Sequence, residues 1–406
     1  GFLARPSAVS AQDLGSCADP NRRQYLIVST SGAGDPLNAN VPGTYDFPDI
    51  AHAPDPKMAG TPMNLGGKMT TGAALWAALP QWVLDRTVFF HHATLTNNHA
   101  NLGKVLGLMG ATVRQEMLPS IIAKHLGPCF GSVQTDPVSA GAGDVLTIDG
   151  RSLPNVAPTG LRDLLTRPNT PLNRLQTLRD QSLDEIHKLL KQDGTQAQKR
   201  YLDSLAMSRA QARALGSDLL DMLAAIKNDA AEGQVTAAIA LIKMNVSPVV
   251  AIRLAFGGDN HTDADLARSE VPQTELGIAR IAQLMEGLKA AGLEDRVTFA
   301  MYNVFGRTLK KLGTAGRDHW ASHHVTVMIG KYVKAGVIGG LEPKANDYYA
   351  TGIDSGSGAA APGGGDIVFG ETLSAMGKTL GAVVGLPSGL LDQYISGGKI
   401  VRAAVV

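Results

Sequence analysis

Pro248-Val249-Val250-Ala251-Ile252-Arg253-Leu254-Ala255-Phe256-Gly257-Gly258-Asp259-Asn260-His261 is an apolar, β-branched run that stops at two glycines and then offers a carboxylate, an amide and an imidazole. Such a run, bounded by glycine, reads as a buried strand. Beyond it, Gln273 to Ala291 places Leu276, Ile278, Ile281, Leu284 and Leu288 on one helical face, and Val297 to Tyr302 is again apolar and β-branched. The same alternation recurs along the chain. Tyr25 to Thr30, Thr87 to His91 and His324 to Ile329 read as strands. Ala73 to Leu84, Ala100 to Met109, Val113 to Leu126 and Glu371 to Leu380 read as helices. Strands alternating with helices imply an α/β fold: a mainly parallel sheet with helices on both faces.

From about 161 to 244 the pattern changes. Leu178, Leu183, Ile186, Leu189 and Leu190 mark one helix, and Leu202, Leu205, Leu215, Leu219, Leu220 and Leu223 mark the next, with almost no strand signal. This span reads as a helical insertion packed against the sheet. The expected organisation is an amino-terminal arm, 1–23, followed by a single α/β domain, 24–406. Ser355 to Gly365 reads as a flexible loop from its glycine and serine content.

The bulk numbers narrow the function classes. Lys plus Arg total 37 against 36 Asp plus Glu, so the surplus positive charge that nucleic acid demands is missing. No stretch reaches the ~18 consecutive apolar residues of a membrane-spanning helix. The opening contains Ala8-Val9-Ser10-Ala11, a spacing signal peptidase accepts, although an ordinary small-residue arm reads the same way. Cys17 and Cys129 are the two cysteines. They fit either one bridge or two buried thiols; in an oxidising compartment the expectation is a Cys17–Cys129 bridge.

Chemistry is expected where ligands sit in open α/β sheets, beyond the carboxyl ends of the strands. There the first strand is followed by Gly32-Ala33-Gly34-Asp35, and the second by His92, Thr94, Thr96, Asn97, Asn98 and His99. The strand from Pro248 leads to Asp259-Asn260-His261. The strand from Val297 leads to Asn303, Arg307, Thr308 and then Arg317-Asp318-His319. Carboxylates and imidazoles converging from separate strands suit a divalent cation. Each residue also has a plainer reading: Asp35 as a turn residue, Asp259-Asn260 as a helix cap, His91 as a packed core histidine.

Phe305-Gly306-Arg307-Thr308 followed by Gly316-Arg317-Asp318-His319-Trp320 resembles the bacterial domain of unknown function 1501 family, related to the alkaline phosphatase and sulfatase superfamily. Gly257-Gly258-Asp259-Asn260-His261 is similar to the family's Gly-Gly-x-Asp-x-His element, one residue shorter. Gly32-Ala33-Gly34-Asp35-Pro36-Leu37-Asn38-Ala39-Asn40-Val41-Pro42 resembles its amino-terminal element, and His99 matches its helix-opening histidine. The resemblance runs from Gln24 to Gly340. It implies an alkaline-phosphatase-like scaffold and export to the periplasm or beyond, since members mostly carry twin-arginine signals.

By superfamily analogy the resemblance further implies a divalent metal (zinc, manganese, calcium or iron). Asp35, Asp318 and His319 would hold one position, Asp259 and His261 would contribute to a second, and His99 would stand nearby. Thr96 or Thr94 would serve as nucleophile and Arg307 as a clamp on a small anionic phosphate or sulfate ester. Two departures stand out. Asn98 occupies a position where many members have Ser, and Asn303-Val304 replaces Ser-Glu. These favour, as the alternative, a non-catalytic exported metal-binding or assembly protein on the same scaffold.

Overall fold

The computed structural model describes residues 22–406 except 142–145, 154, 167–172, 197, 200–201, 204–205, 207–216, 312–314 and 345. Seven strands form the central sheet: β1 (Tyr25–Ser31), β2 (Thr87–His92), β3 (Val138–Ser139), β4 (Val249–Ile252), β5 (Val297–Asn303), β8 (His324–Ile329) and β9 (Gly336–Ile338). A separate two-stranded ribbon pairs β6 (Gly306–Arg307) with β7 (His319–Trp320). The sheet order is β9-β2-β8-β5-β1-β4-β3. Register in the centre is parallel, with Leu26 opposite Val249 and Tyr25 opposite Val297. Only β8 runs against its neighbours, pairing His324 with His92 and Met328 with Ala300.

Alternation along each strand sends successive side chains to opposite faces. Ile27, Phe89, Val250, Phe299 and Val327 bury one face against α6 (Ala231–Lys243) and α7 (Glu270–Ala290), through Ile239, Ile242, Ile281 and Leu284. Leu26, Val28, Phe90, Ala251 and Ala300 bury the other. That face packs on α1 (Leu102–Leu106), α2 (Leu118–Phe130) and α8 (Thr372–Val383) through Val105, Ile122, Met376 and Leu380. The fold is therefore a mixed α/β one with a central, mostly parallel sheet flanked by helices on both faces.

Between α2 and α6 lie α3 (Pro158–Leu165), α4 (Asn173–Asp193) and α5 (Ser217–Ala224). Leu161, Leu219 and Leu223 join the core against α6, whereas Ile186, Leu189 and Leu190 of α4 are exposed. Cys17 and the signal-like opening lie outside the described residues, and Cys129 is not a free thiol.

Several expected boundaries move, each for a local reason. The strand expected to reach Phe256 ends at Ile252, because the next amides bond elsewhere: Arg253 N to Gln234 Oε1 and Leu254 N to Ser29 Oγ. The helix expected from Val113 begins at Leu118, where Pro119 suits the first turn. Ala73–Leu84 is split into two short turns, the second led by Pro80. The Ser355–Gly365 stretch is knitted rather than loose: Ser355 N and Oγ both donate to Asp366, and Gly339 N donates to Gly358 O.

Candidate metal centre

Because β8 is antiparallel, the mouth beyond the carboxyl ends of the other strands collects loops from β1, β2, β4 and β5, together with the β6–β7 ribbon. His99 opens the turn His99–Asn101 that leads into α1; Asn98 caps it, its side chain accepting from Ala100 N. Asp259 and His261 lie on the loop after β4, and Asp318 and His319 enter on β7.

Three imidazoles meet there. His99 Nε2 lies 3.1 Å from His319 Nε2, and His261 Nε2 lies 2.9 Å from the same atom. Their protonation follows from their other partners. His99 Nδ1 is 2.7 Å from Gly32 O and His319 Nδ1 is 2.7 Å from Asn97 O. A carbonyl only accepts, so both Nδ1 atoms carry the proton that faces it, which leaves Nε2 as the nitrogen each ring can offer to a cation. Arg307 Nη1, which only donates, lies 3.3 Å from His261 Nε2 and makes that atom an acceptor too. Two ring nitrogens thus stand about 3 Å from His319 Nε2, a spacing that a shared cation would suit, and a backbone carbonyl on the far nitrogen is how metal-bound histidines are oriented.

Carboxylates complete the cluster. Asp259 Oδ1 is 3.1 Å from His261 Nε2 and 3.9 Å from His319 Nε2, and its Oδ2 is 3.7 Å from His99 Nε2. Asp318 Oδ1 is 3.5 Å from His261 Nδ1 and accepts from His319 N. Among the described residues, two sets of potential ligand atoms gather: His99, Asp259 and His319, then His261, Asp318 and His319. The side chains of Asp259, Asp318, His99 and His261 are 40–55% exposed, so the centre is open to solvent. Desolvation pushes the Asp259 carboxyl up, but the Arg307 guanidinium and the nearby imidazoles hold it below the ordinary carboxylate range. Burial, assisted by Arg307, lowers His319 and keeps it neutral. An anionic Asp259 carboxylate beside imidazole nitrogens is the donor set a zinc-like ion takes.

Asp35 lies outside both sets. It is buried, with Oδ1 accepting from Gly258 N at 2.8 Å and Oδ2 from Asn303 Nδ2 at 3.0 Å, so it braces the Asp259 loop. Arg307 is fully buried; Nε donates to Gly34 O, and Nη2 donates to Ala33 O and to Asp259 Oδ1 at 2.9 Å. Thr94 Oγ1 donates to Thr96 O, while Thr96 Oγ1 accepts from Asn98 N and Asn101 Nδ2. Val304, where the resembling family has Glu, is buried in the apolar cluster under α8. His91 is a core residue bonded to Pro42 O and His323. Asn260, Asn303 and Arg317 stand within the quoted motifs but were not candidate site residues, and Glu270 lies outside those motifs.

A model of one protein family matches residues 122–352, more than half of the chain. The chain belongs to the DUF1501 family. That family's description is "protein of unknown function". No curated protein matches the chain. Solved structures similar to this DUF1501 member include Ps i-CgsB in complex with k-i-k-neocarrahexaose, at 12% identity and a TM-score of 0.38, covering 94% of this chain and 76% of that one. Another is the PsFucS1 sulfatase from Pseudoalteromonas sp., at 12% identity and a TM-score of 0.33, covering 97% and 78%. Likenesses of that depth carry no weight for chemistry, which rests on the site's own residues.

Proposed function

We propose that this DUF1501 protein is an exported, divalent-metal-dependent hydrolase of phosphate or sulfate esters. The observation that carries the reading is the approach of His99 Nε2 and His261 Nε2 to His319 Nε2, at 3.1 and 2.9 Å, beside an ionised Asp259. His99, His261, His319 and Asp259 would hold the cation, with Asp318 orienting His261. When bound, such an ion supplies Lewis-acid stabilisation of negative charge on the ester. The chain's own residues do the rest. The Asn97 and Gly32 carbonyls fix the imidazole tautomers. Arg307, buried and held by the Gly34 and Ala33 carbonyls, donates to Asp259 and His261 and so keeps those two ligands in place, its charge favouring an anionic ester at the mouth. Thr96 is the hydroxyl proposed to attack, standing two residues before the cap of the His99 turn. Periplasmic or secreted placement belongs to the same reading; among the described residues no helix is long and apolar enough to cross a membrane.

A second reading has an observation of its own. Asn98, without a nucleophilic hydroxyl, is the residue whose side chain caps the turn, which suits a metal-binding or assembly role without turnover. The deciding experiment measures zinc, manganese, calcium and iron content alongside hydrolysis of nitrophenyl phosphate and sulfate esters. Bound metal with chelator-sensitive turnover is the expected result. Bound metal without turnover supports the second reading, and a folded chain that binds no metal contradicts both.

A further inference from the structure

The two ligand-bearing loops, 257–261 and 316–319, come from distant parts of the chain, yet their side chains must meet within a fraction of an ångström to share a cation. Behind them sits a fully buried carboxylate, Glu270, in the first turn of α7. Its Oε2 accepts from Asn260 Nδ2 at 2.8 Å and from Arg317 Nε at 2.9 Å. Its Oε1 accepts from Arg317 Nη2 at 3.2 Å and from Asn40 Nδ2 at 2.6 Å. Asn260 stands between Asp259 and His261, and Arg317 directly precedes Asp318 and His319. Arg317 is also fully buried, and Nη1 donates to Thr308 O and Leu309 O, each at 2.9 Å.

The backbones are joined as well. Gly316 N donates to His261 O at 2.8 Å, and a Cβ at Gly316 would lie 2.0 Å from Asn260 O, so only glycine permits the approach. Asp263 closes the remaining loop by accepting from Arg268 N, Ser269 N and Glu270 N.

Resting on the metal-centre reading above, we propose that Glu270 is the positioning residue of that centre. Through Asn260 and Arg317 it fixes the Asp259–His261 loop and the Asp318–His319 strand against each other, and so sets the ligand geometry without touching the cation.

The test loads the full-length chain with cobalt(II) and reads its visible absorption bands and affinity. Glu270→Gln keeps the shape and removes the charge that gathers Arg317 and Asn260. Asn260→Ala is the milder variant, because it leaves the Arg317–Glu270 pair intact and removes an Oδ1 that has no hydrogen-bond partner. Leu284→Ala, in the buried middle of the same helix, controls for general loss of stability. Loss of an outer-shell partner commonly weakens metal binding about 10- to 100-fold. Glu270→Gln and Asn260→Ala are expected to fall in that range with altered bands, while Leu284→Ala lowers the melting temperature and leaves bands and affinity unchanged. If Glu270→Gln does not fold, Asn260→Ala decides alone. Wild-type bands and affinity in the hub variants, or an equal change in Leu284→Ala, overturn the positioning role while the metal centre stands. A wild type that takes up no cobalt overturns the metal-centre reading and the hub with it.

Discussion

A Cβ at Gly34 would lie 1.9 Å from Phe305 Cε2, on backbone with φ +65°. Gly34 also supplies the carbonyl that receives Arg307 Nε. Gly34→Ala therefore forces both a strained backbone and a clash beneath the centre, and should lower stability by at least ~1–3 kcal/mol. An unchanged thermal melt would speak against the tight approach described here. Among the histidines, His319 alone belongs to both candidate ligand sets. His319→Ala should weaken zinc binding more than His99→Ala, as read by calorimetric titration; a larger loss in His99→Ala contradicts the central place given to His319. The two threonines separate by their hydrogen bonds. Thr94 donates to Thr96 O, whereas Thr96 accepts from Asn98 N and Asn101. If the ester chemistry runs through a hydroxyl, Thr96→Ala should abolish turnover more completely than Thr94→Ala. Equal activity in the wild type and both variants leaves the hydroxyl route without a residue.

The pair β2 and β8 brings four histidines together: His91 and His323 on one face, His92 and His324 on the other, all essentially inaccessible to solvent. His91 faces His323 and Pro42 O; His92 faces His324, Thr326 Oγ1 and Ala93 O, with no carboxylate among these partners. Burial lowers His91 and His92 to about 4 and puts His323 and His324 well below their ordinary value. In the unfolded chain they would titrate near 6.5. Above that pH both states are neutral and the histidines add no pH dependence. Between about 6.5 and 4 the unfolded state alone takes up protons, so stability falls as pH falls. The slope is on the order of 1.4 kcal/mol per pH unit for each histidine that titrates this way. Urea unfolding should show this loss from pH 6.5 downward, and a flat profile to pH 4.5 contradicts it. The helical elements also show where sequence signals ran short. Val113–Gln115 keeps apolar spacing but places Arg114 and Gln115 at positive φ, so the regular helix waits until Leu118. Glu270 lies three residues before Gln273, where the apolar spacing starts the helix, yet the helix begins at Glu270 itself. Only the fold reveals the carboxylate as the buried hub between two loops.

Across the whole molecule, the strands long enough to show a β-branched run were legible: β1, β2, β5 and β8 lie where the apolar runs place them, and β4 lies within its run but stops at Ile252. Strands β3 and β9, of two and three residues, are too short to carry a pattern. The reversed direction of β8 is set by its connection and not by hydrophobicity. Of the candidate site residues, some are brought together and some are not. His99, Asp259, His261, Asp318 and His319 gather from separate loops as a cluster, because strand ends converge in this topology. Asp35 shares their motif position but turns inward, since buried amides at Gly258 and Asn303 claim its oxygens. Hydrogen bonding of that kind depends on three-dimensional neighbours that a single sequence does not name. The central claim, a cation held by His99, His261, His319 and Asp259, is tested most directly by anomalous diffraction at the zinc edge from crystals grown with zinc. An anomalous peak is expected among the three Nε2 atoms and within reach of Asp259. A chain with these imidazoles still converged, and no peak there at saturating zinc, would contradict it.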